Sequence, residues 1–344
     1  MSTAATTHDG RDADRTRTRL AGITRSPMLR LIVKRVLMAI PIMLGVSLLT
    51  FIVLTLIPGS GAQQLLGADA TEEQVAALEA EMGLDRPPHV QYLSWLQDVV
   101  TGDLGTSTVS GQTVTSQLAD RLPVTVELVG LAFLLSVLAA VPVAVLAARW
   151  PGGLMDRLSM VVSMTGLAVA NYVLALLLVV IFAVLLGVLP AIGYVPLTES
   201  VSGNLRAMTL PVISIAFPLF CFYTRFLRGD LVEQMLSQDY VDTARAKGIG
   251  PWRVLLRHAL RNSSFGLITL VGLNLGTLIG ATVIIEQIFA LPGLGQLLLQ
   301  AIGARDAVVV QACVLIFAFV AVMANLIVDL LYLVLDPRIR YGSR

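Results

Sequence analysis

From Val36 to Ile57 the chain carries no charge over 22 residues, and fourteen of those are Leu, Ile, Val or Phe. At roughly −0.5 kcal/mol per strongly apolar residue on an insertion scale, placing this run in a bilayer is favourable by about 7 kcal/mol. Five more low-charge stretches follow, Leu122 to Ala148, Leu158 to Thr198, Ala207 to Thr224, Asn262 to Ile285 and Ala307 to Val328. Each supplies the roughly 20 residues that a helix needs to cross the hydrocarbon core. The stretch from Leu158 exceeds one span, and Pro190, Gly193 and Pro196 are placed to break it. A hydrophobic share of 56%, a charged share of 14% and a mean hydropathy of +0.80 agree with a chain that lives in lipid. The expected fold class is an all-α polytopic membrane protein with six transmembrane helices.

The expected organisation is a disordered cytoplasmic tail over 1–24, polar and mixed in charge, followed by a membrane domain over 25–344. Span 1 covers about 36–57, an outer loop 58–121, span 2 about 122–148, span 3 about 158–189 and span 4 about 207–227. A cytoplasmic loop over 229–262, span 5 at about 263–286 and span 6 at about 307–335 complete it. Span 1 is too long for a removed signal peptide and lacks its small-residue cleavage site, so it reads as an anchor. With both termini inside, sixteen membrane-proximal Arg and Lys fall on the cytoplasmic side, against Arg86, Arg121, Arg206 and Arg305 outside. That asymmetry sets the orientation.

Several chemistries have no motif here. The two lysines, Lys34 and Lys247, complete no GxxxxGK[ST] phosphate loop, so the chain is expected to have no ATPase site of its own. His8, His89 and His258 are scattered, with no metal-ligand spacing. No HExxH or GxSxG occurs, and an enzyme is not expected. Cys221 and Cys313 both fall within spans and read as buried thiols. The net charge of +1 conceals local asymmetries and gives no reason to expect a nucleic-acid partner.

The cytoplasmic loop contains Asp239-Tyr240-Val241-Asp242-Thr243-Ala244-Arg245-Ala246-Lys247-Gly248. Asp239 is positioned to cap a short helix, and Asp242 adds a carboxylate to its first turn. Arg245 and Lys247 suit the C-terminal end of the dipole, and Gly248 can take a left-handed stop. Eight helical residues span about 12 Å and do not persist alone in water, so the segment looks built to be gripped by a partner. After Gly250, Pro251 suits a new helix start. Trp252, Leu255, Leu256, Ala259 and Leu260 then repeat at helical spacing, with Arg253, Arg257 and Arg261 on another face, as in a helix lying at a membrane surface. A plain positive-inside anchor is the blander alternative.

This insert resembles the cytoplasmic coupling loop of binding-protein-dependent ABC importer permeases. Asp242-Thr243-Ala244 precedes Gly248 at the family's Glu-Ala-Ala-x-x-x-Gly spacing, and the run over 238–248 is similar to the dipeptide/oligopeptide/nickel branch. The likeness continues at Ile57-Pro58-Gly59, at 101–107, at Arg121-Leu122-Pro123 and at 257–262. It resumes at Glu286-Gln287-Ile288-Phe289, Leu291-Pro292-Gly293-Leu294-Gly295 and 335–342, reaching from about Leu29 to Gly342. It points to the first of the branch's two permease types. Ser60 stands where that family commonly has Asp, and Val169-Ala170-Asn171 lacks a proline often found early in span 3.

The resemblance implies a permease subunit of the bacterial inner membrane that imports di- or oligopeptides, with nickel or another small solute as the alternative. It implies a homologous second permease, two ATPase subunits or domains that bind ATP and Mg, and an external substrate-binding protein. Tyr240 to Lys247 would dock in an ATPase cleft, with Ala244 on the small-residue face presented to it. A stand-alone secondary transporter is the rival from another class.

Charges at membrane depth are costly and so are candidates for the gate or pathway: Glu127 in span 2, Glu286 at the end of span 5 and Asp329 in span 6. Packing or interface contacts are the competing reading for all three. In the outer loop, Thr71-Glu72-Glu73-Gln74 resembles a capping box, with Val75, Leu78 and Met82 in one stripe. Val90, Leu93, Leu96 and Val100 make another. Both are expected to cover the spans or to receive the binding protein. The orientation predicts that a cysteine at Gly250, in a background without Cys221 and Cys313, stays unlabelled by an impermeant thiol reagent applied to intact cells. Labelling from outside would invert the topology.

Overall fold

A computed structural model describes residues 27–56, 66–67, 70–81, 83 and 85–335. The expected tail at 1–24 and the motif residues Pro58, Gly59, Ser60 and 336–342 lie outside the described residues. Helices α1 (Pro27–Leu56), α2 (Glu72–Glu81), α3 (Pro88–Thr101), α4 (Val114–Arg149), α5 (Leu154–Ala168) and α6 (Asn171–Leu178) form the first half. The second half comprises α7 (Val201–Ser237), α8 (Asp239–Ala246), α9 (Pro251–Val254), α10 (Leu260–Phe289), α11 (Leu294–Gly303) and α12 (Ala307–Leu335). Helices α6 and α9 run on as π-helical turns, Val179–Leu185 and Leu255–Ala259.

Helices α1, α4, α7 and α12 are each long and apolar enough to cross a membrane. Two bent pairs bring the number to six when each counts as one span: Leu154–Ala168 with Asn171–Leu185, bent by 103°, and Pro251–Asn274 with Gly276–Phe289, bent by 51°. The first bend falls within the stretch expected to be span 3. Val169 and Ala170 are both extended, with ψ of 124° and 144°, and the chain re-enters helix at Asn171. Helix α5 packs on α7 with its small residues Ser159, Ser163 and Gly166 buried, and Ala175 of α6 is buried in the cluster that holds Met208 and Ile215 of α7. The break contains no proline, and both halves dock on α7.

The 37-residue α7 is the axis of the bundle. Its buried Met208, Leu210, Val212, Ile215 and Ala216 meet Val124, Leu128 and Ala132 of α4 at one end. Its Tyr223, Leu227 and Leu231 meet Ala140, Ala144, Val145 and Ala148 at the other. Helices approach closely where glycine permits, as expected when lipid provides no hydrophobic drive between them. A Cβ on Gly166 would overlap Cys221 and Phe217 of α7, and one on Gly272 would overlap Val328 of α12. Both cysteines are buried and unpaired.

Outside the spans, Thr71 and Gln74 form a capping box: the Thr71 amide donates to Gln74 Oε1 (3.1 Å), and the Gln74 amide to Thr71 Oγ1 (3.3 Å). Val75 and Leu78 lie on the less exposed face of α2, while the side chain of Met82 lies outside the described residues. The second expected stripe is not the docking face of α3. Val90, Leu93 and Val100 are exposed, and α3 instead packs on α1 through Tyr92, whose hydroxyl meets Ser47 Oγ at 2.9 Å and whose ring lies 5.5 Å from Phe51.

Where α4 hands over to α5, Arg228 of α7 grips the buried Asp156 bidentately: Nε donates to Oδ1 and Nη2 to Oδ2, both at 2.7 Å, and the Gly152 amide adds a third bond at 2.8 Å. Removing one partner of a largely buried pair leaves an uncompensated charge, whereas removing both does not. Asp156→Leu or Arg228→Met alone should therefore destabilise the purified protein by about 3 kcal/mol, and the double variant by clearly less. Thermal unfolding in detergent reads this out, and additive losses would exclude the clamp.

Candidate functional site, the short helix and the buried carboxylate

Helix α8 forms where the sequence places it, but Asp239 is not its cap. Asp239 occupies the first helical position behind Gln238, which makes no side-chain capping bond. Asp239 and Asp242 both lie in the first turn, where they complement the helix dipole. The C-terminal stop is a complete Schellman motif. Gly248, at φ +75°, donates to Arg245 O (2.9 Å), and Ile249 donates to Ala244 O (3.1 Å). Tyr240 donates its hydroxyl to Gln234 Oε1 (2.6 Å), and Arg245 Nη2 donates to Met235 O (3.0 Å), which ties α8 to the end of α7.

The burial pattern gives α8 two faces. Val241 and Ala244 are buried with Val254 of α9, and Met235, Tyr240 and Ile249 pack around them. Asp239, Asp242, Thr243 and Ala246 are exposed at positions i, i+3, i+4 and i+7, with Lys247 and Gly248 exposed beyond. Ala244 therefore does not present a small-residue face to a partner; it is needed small because α8 lies against its own chain. The free side is polar and of mixed charge, with Arg245 also exposed and 3.5 Å from Asp242. In α9 and its π turn the buried residues are Val254, Leu255 and Ala259, while Trp252 and Leu256 of the expected stripe stay exposed. Arg253, Arg257 and Arg261 are exposed.

Glu286 lies in α10, whose other end follows α9, and is fully buried. Thr125 Oγ1 of α4 donates to its Oε1 (2.7 Å), and the amides of Gly295 and Gln296 donate to its Oε2 (2.7 and 3.1 Å). Thr125 Oγ1 in turn accepts from the Leu294 amide (2.8 Å). An acid thus sits at the N-terminus of α11, where exposed helix donors favour an anion. The Gly293 and Gly295 positions are required: a Cβ on the first would overlap the Glu286 carboxyl, and one on the second would lie 2.5 Å from Val283 Cα. Arg121 Nη1 donates to Gln296 Oε1 (3.0 Å), so α4 holds α11 twice.

The other membrane-depth charges are also engaged. Tyr194 donates to Glu127 Oε2 (2.8 Å), while Oε1 of Glu127 is buried without a partner. Asp329 of α12 pairs with Arg35 of α1, Nε to Oδ2 at 2.7 Å and Nη2 to Oδ1 at 2.9 Å. Three charges that sequence groups together thus occupy three separate places. Sequence reasoning missed Thr125, Tyr194, the Asp156–Arg228 clamp and the bond from Ser107 to Asp306, because their partners are distant in the chain. Among the described residues no group of His, Cys, Asp and Glu could hold a metal ion.

Glu286→Ala should leave Thr125 and two amides without their buried acceptor, at about 1–3 kcal/mol per orphaned group, while Glu286→Gln keeps an acceptor oxygen and costs less. Gly293→Ala should be destabilising and Gly303→Ala, with open space around it, close to neutral. Melting temperatures of the four variants test the cradle, and an unchanged Gly293→Ala would refute it.

Comparison with known proteins bears on the same segments. A family described as binding-protein-dependent transport system inner membrane component matches residues 140–341, and its N-terminal component matches 28–129. A protein of Brucella abortus named for a peptide transport system permease is 43% identical over 91% of this chain and 100% of its own length. A peptide ABC transporter permease of Sinorhizobium fredii is 36% identical over 90% and 99%. A glutathione transport system permease of Salmonella choleraesuis is 36% identical over 91% and 100%. The matched span of 140–341 contains the short helix and Glu286 with the amides of Gly295 and Gln296, while Thr125 falls within 28–129, and the chain belongs to the family of inner membrane components of binding-protein-dependent transport systems.

Proposed function

We propose that this chain is the permease subunit of an ATP-driven importer of di- or oligopeptides, and that α8 couples it to an ATPase subunit. Relatives named for peptide and glutathione transport, two of them 36% and one 43% identical over nearly the whole chain, support the substrate class. The observation that carries the coupling role is the division of α8 into a buried face of Val241 and Ala244 and an open face of Asp239, Asp242, Thr243 and Ala246. A helix of eight residues fixed by its own chain on one side leaves the other for a partner. Tyr240, Arg245 and Gly248 hold it rigid, so a push on α8 passes into α7 and α9 and is not lost in bending.

In this reading both termini are cytoplasmic in a bacterial inner membrane. The complete importer contains a second permease, two ATPase subunits or domains and an external substrate-binding protein. ATP and Mg belong to the ATPases, and the permease alone hydrolyses nothing. Closure of the ATPases draws on α8 and alternates access through the spans. Nickel or another small solute could travel by the same mechanism, but no metal-ligand group among the described residues favours it.

Gly248→Val confronts open space but a left-handed backbone, costing about 1–2 kcal/mol in the stop of α8. Ala246→Arg adds bulk and charge on the open face and leaves the buried face intact. In proteoliposomes with the partner subunits, both should lower peptide-stimulated ATP hydrolysis at least several-fold while the permease still inserts. Wild-type rates in both variants would reduce α8 to a structural element.

A further inference from the structure

Arg149 ends α4 with a positive charge that no carboxylate neutralises among the described residues, and its Nε is buried without a hydrogen-bond partner. Its guanidinium carbon lies 5.2 Å from the Trp150 ring centre and 5.8 Å from that of Trp252, and the two indoles meet edge to face at 5.8 Å. The contact joins the end of α4 to the start of α9. Both indoles remain open, 51% and 40% exposed, and Leu154 and Leu256, four residues further along each strand of the junction, are exposed as well. Starting next to Trp252, Arg253, Arg257 and Arg261 recur every four residues, all exposed and none in an ion pair among the described residues.

Exposed indoles beside exposed leucines are stable at the boundary between hydrocarbon and headgroups, where one edge of the ring is apolar and the other wet. Arginine at that level, with its face covered by aromatic rings, keeps its outer N–H edge for a planar or tetrahedral oxyanion. Unneutralised basic groups beside a span attract anionic headgroups. We propose that Arg149, held between Trp150 and Trp252, seats the phosphate of an anionic phospholipid in the bilayer leaflet at the α8 end, with the α9 arginines adding to the field. The site does not depend on peptide being the substrate.

The chain contains three tryptophans, so Trp95→Phe leaves Trp150 and Trp252 as the fluorescent reporters. The full-length protein in phosphatidylcholine nanodiscs receives the same minor fraction of brominated phosphatidylglycerol or brominated phosphatidylcholine. The expected result is at least twofold stronger quenching by the anionic lipid, lost in Arg149→Gln and partly kept in Arg149→Lys. Equal quenching by the two lipids overturns the proposal without recourse to any variant. So does an excess that survives Arg149→Gln, an excess abolished by inorganic phosphate, which would assign the site to the free ion, or one abolished by adding the partner ATPase subunits, which would assign the surface to protein.

Discussion

The Glu286 carboxylate is the point on which one end of the molecule depends. It is removed from solvent, receives three hydrogen bonds and meets the donor end of α11, with the Arg121 guanidinium near enough to act on it as well. Because those donors come from α4 and from α11, one group fixes three helices at once. Two glycines are needed for the approach, and Ala290, in the left-handed region at φ 50°, turns the chain so that it can return. The same end is closed by the Ser107–Asp306 bond and the Val308 contact with Gly105, which seat the segment before α4 on the start of α12. The result is an interlocked set of short segments held by buried polar bonds, each expensive to break in a medium without water.

The α8 end is organised differently. There ionic and aromatic ties add to a buried apolar cluster: Asp156 with Arg228, Asp329 with Arg35, and Arg149 with two indoles. Helix α8 itself rests on a cluster of only three buried residues. The Gly248 stop and the bonds to Gln234 and Met235 tie it to the end of α7.

Between the two ends, bends and glycine crossings give the spans their shape. The 103° bend at Val169–Ala170 and the 51° bend at Asn274–Gly276 each lie in an apolar helix pair without a proline at the break. The prolines that do occur within helices, Pro41, Pro123, Pro142, Pro211 and Pro218, stand in spans that continue through them. In a membrane a proline is tolerated where neighbours repair its lost bond.

Sequence alone settled what depends on transfer from water and on local backbone chemistry. Charge-free runs of about 20 residues must be helices in lipid. The Thr71–Gln74 box and the Gly248 stop follow from residues within a few positions of each other, and the short helix before Gly248 was legible for the same reason. Partners of side chains were not legible. Glu286 meets Thr125 across 161 positions, Asp156 meets Arg228 across 72, and Asp329 meets Arg35 across 294. The face of α8 that is buried also escaped the sequence, because Ala244 and Ala246 are the same residue and only the position of α9 decides which one is covered. Hydrophobicity acts on each segment by itself, whereas pairing and facing exist only once the segments have met.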